Sequence, residues 1–170
     1  MPGEAENDIL AMEQAYGVSM DYWRHISRVL PSALARLEAI GGQAALRTAA
    51  PVSAQFLACL GAVHAEDCGP CVQIYAREAV REGVNRAWVA SALEGRLDEL
   101  PEAEVLAFRF GQAVATGAEE LDDLRGELVA RLGEAAVVDL AIGAAAARFW
   151  PALKRGLGFA SACNTAALDF

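Results

Sequence analysis

The chain has 170 residues, of which 55% are hydrophobic and 22% charged, with a formal net charge of -9 at pH 7. That length and balance suit one globular domain with a substantial core and exclude a disordered chain. The acidity argues against nucleic-acid and anionic-membrane partners, because both need clustered Lys and Arg, and it is read as a solubility feature.

Helical periodicity runs through almost every segment, with Ala, Leu, Glu and Arg dominant and no alternating Val/Ile/Thr runs or Asn-Gly turns. The expected fold class is all-α, a compact multi-helix bundle in one domain spanning residues 1–170, with no internal repeat or linker. A first amphipathic helix is predicted from Asp8, as its N-cap, to Tyr16, and Gly17 breaks it. A second runs from Val18 to Leu30, with Met20, Trp23, Ile26 and Leu30 at helical spacing. Pro31 restarts a helix through Ile40, ended by Gly41-Gly42. Trp23 and His25 are read as packing and surface residues.

A fourth helix is expected from Pro51 to His64, with Val52, Phe56, Leu60 and Val63 as its apolar face. The fifth starts at a cysteine motif and runs to Glu82, Gly83 stops it, and Asn85 caps a short helix through Leu93. After a polar break at Glu94–Glu99, Pro101 opens a helix that Thr116-Gly117 ends. Another is expected over Glu119–Leu132, and Gly133 separates it from a last helix over Glu134–Arg155. The small residues of that last helix suit the centre of the bundle or a subunit interface, and Pro151 is expected to kink it. Its most apolar run, Ala135–Ala147, is interrupted by Asp139 and reads as too short to span a bilayer.

The stretch that concentrates chemistry is His64-Ala65-Glu66-Asp67-Cys68-Gly69-Pro70-Cys71, followed by Val72 to Tyr75. Pro70 belongs in the first turn of a helix, which puts Cys68 near the N-cap and Cys71 in that turn. The unpaired N–H groups and the positive end of the helix dipole favour a thiolate there, and C-x-x-C spacing also lowers thiol pKa values. Two such cysteines can form a disulfide, one attacking an oxidant and the other resolving the intermediate. The dipole favours Cys68 as the lower-pKa thiol. His64, Glu66, Asp67, Tyr75 and Glu78 are candidate proton donors or acceptors, His64 because it titrates nearest neutrality. Asp67 is read first as a capping charge. Cys59, Cys163, His25 and His64 supply no second ligand pair, so no metal and no cofactor are expected. Cys59 and Cys163 are read as small buried hydrophobes.

The tetrapeptide Cys-Gly-Pro-Cys is also that of thioredoxins, but they place it after a strand and carry tryptophan where Asp67 stands, so that fold is rejected. A helix, then Glu66-Asp67-Cys68-Gly69-Pro70-Cys71, then an amphipathic helix resembles the alkylhydroperoxidase D-like branch of the carboxymuconolactone decarboxylase family. The stretch from Leu132 to Pro151 is similar to the helix that follows in that family, and the likeness covers about residues 50–158, with N-terminal helices over about 8–40 outside it. The resemblance implies an all-α, oligomeric thiol-dependent peroxidase or thiol–disulfide oxidoreductase. Its substrate would be a hydroperoxide or small disulfide, and its electron donor a dithiol or a protein. Cys71 matches the peroxide-reacting cysteine and Cys68 the resolving one. The family's relay residues are replaced by Tyr75, Pro70 and Phe56. Either His64 or Glu66 therefore takes over the proton relay, or hydroperoxide activity is weak or absent. The alternatives are a non-redox decarboxylase-like enzyme using Arg77, Arg81 or Arg148 to hold a substrate carboxylate, and a helical binding protein without activity. A homo-oligomer is expected from the apolar composition. A cytoplasmic location is expected because the acidic Met1–Asp8 start lacks a signal peptide's basic and apolar regions.

Overall fold

Ten consecutive residues of one helix, Ala54–Val63, are buried. A helix apolar on every side belongs at the centre of a bundle, and the others form around this one. The computed structural model describes residues 2–160 and Phe170. Among the described residues there are nine α-helices and no strand: α1 Pro2–Tyr16, α2 Asp21–Val29, α3 Leu34–Ala45, α4 Val52–Ala65, α5 Gly69–Arg81, α6 Arg86–Leu93, α7 Glu102–Thr116, α8 Leu121–Leu132 and α9 Glu134–Gly156. The central helix is α4, which packs most heavily on α7, then on α9 and α5.

Where the sequence carries local stop and start signals, the boundaries follow them. Gly17, Gly83, Gly117 and Gly133 all sit at positive φ, and Asn85 caps α6 by accepting from Ala87 N at 2.8 Å. Several expectations need correction, among them the start of α2, which is Asp21 and not Val18. Helix α1 starts at Pro2, not at Asp8, because a proline at the first position is as good a start as a capping carboxylate. Helix α3 follows a short 3-10 turn at Pro31–Ala33 and runs through Gly41-Gly42 to Ala45. Gly41 serves a close approach instead of a stop, since a Cβ there would lie 3.3 Å from the Trp150 ring. Asp139 does not merely interrupt an apolar run: its Oδ2 accepts from the backbone N–H of Thr48, Ala49 and Ala50 at 2.8, 2.7 and 3.0 Å.

Helix α9 carries Pro151 inside it and extends to Gly156. At 23 residues it is long and apolar enough, by length and composition alone, to cross a membrane. It packs on α3, α4, α7 and α8 as a core helix of the bundle. Gly143 faces α4, where a Cβ would lie 3.0 Å from Cys59 Sγ. Val138 and Ile142 stay exposed on its outer side.

A second apolar cluster forms under the N-terminal helices from Ile9, Met20, Tyr22, Trp23, Ile26 and Leu37. It touches the main core through Trp150, which packs against both clusters, with the Trp23 and Trp150 rings stacked at 5.9 Å. Cys71 lies at this seam. Cys163 lies outside the described residues.

Candidate active site around Cys71

The C-terminal end of α4 delivers the cysteine motif. Asp67 takes a left-handed φ of 51°, a conformation that Asp tolerates better than most residues, and its N–H donates to His64 O at 3.1 Å. The capping role expected of its side chain falls instead to the backbone turn, with Cys68 itself at the N-cap and no side-chain cap bond. Pro70 occupies the first turn of α5. Cys68 and Cys71 are joined by a disulfide, with their Cα atoms 5.2 Å apart. Both are buried, at 1% and 3% exposure.

Their surroundings differ. Cys71 lines a cavity of about 330 Å³ between α1–α3 on one side and α4, α5 and α9 on the other. Met12, Tyr16, Trp23, Phe56 and Trp150 give it a largely apolar and aromatic wall. Tyr75 and Glu78 follow Cys71 on successive turns of α5 and line the same cavity. Burial, with the nearby Cys59 thiol adding to it, holds the Tyr75 phenol well above its ordinary value, and it shares a side-chain hydrogen bond with Trp150. Tyr75 is therefore a neutral hydrogen-bond donor at neutral pH and not a base. Tyr16 is also raised, by burial and then by its hydrogen bond to Glu78. Arg81 pairs with Glu78 at 2.7 Å and lies over the Tyr16 ring at 5.7 Å.

Cys68 is not part of that wall. Its sulfur accepts from Lys154 Nζ at 3.7 Å, and this lysine of α9 is 4% exposed. Sequence reasoning passed over Lys154. The signal was present, because Lys154 falls in register with the buried stripe Leu140, Ala144, Ala147 and Pro151.

The other expected site residues point elsewhere. His64 is exposed. Its ring packs at 5.8 Å from Phe108, with Gln112 Nε2 3.5 Å from its Nδ1, both on α7, and it does not line the Cys71 cavity. Glu66 bonds Arg148 Nε at 2.9 Å and Arg155 Nη2 at 2.5 Å. Burial alone would push this carboxyl up, but the two guanidiniums outweigh it and hold it below the ordinary carboxylate value. Glu66 thus fastens the cysteine loop to α9. Arg148 also donates to Val114 O at 3.1 Å. Cys59 is fully buried in α4, and burial pushes its thiol up to about 12.

A larger surface groove of about 1000 Å³ runs along α2 beside Arg24, Arg28 and Phe159 and holds no cysteine. Arg24, one of its cations, is already paired with Glu13 and Glu6. Among the described residues no cluster of three His, Cys, Asp or Glu side chains is arranged to hold a metal ion. No family model, curated protein or solved structure matches this chain.

Proposed function

We propose that this protein is a thiol-dependent oxidoreductase, with Cys71 as the sulfur that meets substrate and Cys68 as the resolving sulfur. The observation that carries this reading is the disulfide whose two halves face different surroundings, Cys71 toward an apolar cavity and Cys68 away from it. The resemblance of the Glu66–Cys71 motif to the redox branch of the alkylhydroperoxidase D-like family supports the same assignment.

In the reduced protein the Cys71 thiolate attacks the terminal oxygen of a hydroperoxide. The O–O bond breaks, the alkoxide takes a proton and leaves as alcohol, and Cys71 becomes a sulfenic acid. The Cys68 thiolate then attacks the Cys71 sulfur and displaces hydroxide, which leaves as water on gaining a proton. A small disulfide would enter the same cycle by exchange at Cys71. Tyr75, one turn along α5 and held as a neutral phenol, is placed to donate a hydrogen bond into the cavity where the leaving oxygen forms. Glu38 and Glu78 line the cavity with otherwise apolar groups, which favours an uncharged organic hydroperoxide or disulfide over a carboxylate-bearing one. The non-redox alternative fits less well. Arg148 is engaged with Glu66 and Val114 O, Arg81 with Glu78 and Arg77 with Ala15 O, which speaks against using any of the three to hold a substrate carboxylate.

The test compares Cys71→Ser and Cys68→Ser with an organic hydroperoxide as oxidant and dithiothreitol as reductant. Cys71→Ser is expected to abolish turnover. Cys68→Ser is expected to consume one equivalent of peroxide and stop at a sulfenic acid on Cys71 that a dimedone probe traps. Undiminished turnover by Cys71→Ser, or a wild-type pair that stays reduced under excess hydroperoxide, would refute the proposal.

A further inference from the structure

We infer that Lys154 is the electrostatic partner of Cys68, holding it as a thiolate whenever the disulfide opens and so making Cys68 the leaving sulfur through which the pair is reduced. The inference rests on the proposed redox role of the pair and adds a residue from a helix distant in sequence.

The geometry is specific. The Lys154 ammonium sits 3.7 Å from Cys68 Sγ and 5.7 Å from the centre of the Tyr22 ring. At 4% exposure it is shielded from water, and among the described residues no carboxylate pairs with it. A buried cation is costly unless an anion or a well-placed dipole faces it. With the disulfide closed, Lys154 faces a neutral sulfur and the π-face of Tyr22. Opening the disulfide onto Cys68 places a negative charge beside it. The reduced state therefore gains an ion pair that the oxidised state lacks, and Cys68 also stands at the N-cap of α5, where the helix dipole adds in the same direction.

Two carboxyls and two phenols also stand in this part of the bundle. Glu66 is tied to Arg148 and Arg155. Asp67 is exposed on the loop. Tyr22 is raised above its ordinary value by burial and stays neutral, as does Tyr75.

The reductive half-reaction balances as follows. One thiolate of a dithiol donor attacks Cys71 Sγ, which the cavity exposes. The Cys68–Cys71 bond breaks, and its electron pair goes to Cys68 as a thiolate beside Lys154. The donor's second thiol loses its proton and attacks the donor sulfur of the mixed disulfide. The donor leaves as a disulfide, oxidised by two electrons, and Cys71 leaves that bond as a thiolate. Cys71 takes up one of the donor's two protons, and the other goes to solvent. A lower-pKa leaving thiol departs faster, so Lys154 speeds the first step and favours the reduced pair. This reconciles the two sequence arguments: the helix dipole points to Cys68 as the better thiolate, while the cavity makes Cys71 the sulfur that is attacked.

The experiment measures the reduction potential of wild type, Lys154→Met and Lys154→Arg in dithiothreitol redox buffers without peroxide, with thiols counted by mass after alkylation. Lys154→Met removes the charge at similar length. It is expected to shift the equilibrium about tenfold toward the disulfide, or about 30 mV to more negative potential for a two-electron couple. Lys154→Arg is expected to restore most of the wild-type value. In a Cys71→Ser background, site-resolved alkylation of Cys68 is expected to titrate well below the free thiol value of about 8.5 with Lys154 present, and about a unit higher with Met. If Lys154→Met does not fold, Lys154→Gln, which also removes the charge, takes its place in both measurements. An unchanged potential and Cys68 profile in Lys154→Met overturn the inference. So does a shift that Lys154→Arg fails to reverse, which would mark a packing effect. A pair that cycles with dithiol but never with hydroperoxide removes the peroxidase reading and leaves this one standing, whereas loss of turnover in Cys71→Ser with no effect of Lys154→Met does the reverse.

Discussion

The contact between α4 and α7 is made by two reciprocal glycines, and replacing either should separate the helices on which the site is built. A Cβ added at Gly111 would overlap the carbonyl oxygen of Ala58 and lie 2.8 Å from its carbonyl carbon and 3.0 Å from Ala62 N. A Cβ at Gly61 would overlap Phe108 O and lie 3.0 Å from Phe108 C and 3.3 Å from Gln112 N. Ordinary carbon contacts sit at about 3.5–4.0 Å, and the obstructing atoms are backbone, so no rotamer relieves them and the axes must part by about 1 Å. Overpacking a core costs about 1–3 kcal/mol and more where backbone must move. The better helix propensity of alanine returns about 1 kcal/mol. Gly111→Ala should therefore lose about 2 kcal/mol net, the upper end of that range because the obstructing atoms are backbone, a fall in Tm of roughly 4–8 °C at the 2–4 °C per kcal/mol typical of this chain length. Gly126, inside α8, has nothing within 4 Å of an added Cβ, so Gly126→Ala should gain about 0.5–1 kcal/mol and raise Tm by about 1–4 °C. Thermal unfolding followed by circular dichroism at 222 nm reads both. A Gly111→Ala protein melting within about 2 °C of wild type, or above Gly126→Ala, would refute the close-approach argument.

Two further predictions concern the polar clamps. Asp139→Ala removes the acceptor of three backbone N–H groups at the entry to α4 and should cost about 1–2 kcal/mol at pH 7, discounted for the access that water has to the site. Those same N–H bonds hold the Asp139 carboxyl below its ordinary value of 3.8. Its contribution is thus present above 3.8 and lost as pH falls through the folded value, and urea titrations should show the gap between wild type and Asp139→Ala closing in acid. Glu13 is held at about 2, first by its side-chain bonds to Arg24 and then by the Met20 N–H. Stability from this carboxylate is complete above its ordinary 4.5 and lost as pH falls toward 2. Because α1 supplies Met12 and Tyr16 to the cavity, Glu13→Gln should loosen that cover and raise the alkylation rate of reduced Cys71 several-fold at pH 7. An unchanged rate would show that α1 does not control access.

The helical class and most boundaries were legible because they rest on local chemistry. Pro51 and Pro101 precede helices as N-caps, Asn85 caps α6, and the glycines at 83, 117 and 133 take the positive φ that ends a helix. The placement of Cys68 at an N-cap and Cys71 in the first turn follows from Pro70 for the same reason. Features made by distant partners were not legible. The Asp139 clamp joins residues about 90 positions apart, and an aspartate in an apolar helix looks like an interruption until its partners are known. Gly41-Gly42 reads as a stop, yet Gly41 is where Trp150 lies on the helix. His64 stands out in the sequence as the imidazole beside the cysteines, the side-chain type suited to moving protons near neutral pH. Helical rotation decides direction, and α4 turns that ring toward Phe108 and Gln112.

The cysteine motif explains only half of its own site, and the other half is written in one short stretch of α9. Arg148 and Arg155 hold Glu66 and with it the loop. Trp150 stacks on Trp23 and closes the cavity against Tyr75. Lys154 meets Cys68. Asp139, at the other end of the same helix, fixes the entry to α4. Helix α9 therefore grips both ends of the central helix, and any change that rotates or shifts it moves the charge beside Cys68 and the wall before Cys71 together. Pro151 stands in the middle of this stretch, between Trp150 and Lys154. Its missing N–H removes one rung of the helix ladder where the side chains must serve two different faces. On the redox reading proposed above, the reactivity of Cys68 and Cys71 is set less by the residues between them than by what residues 148–155 place against each sulfur.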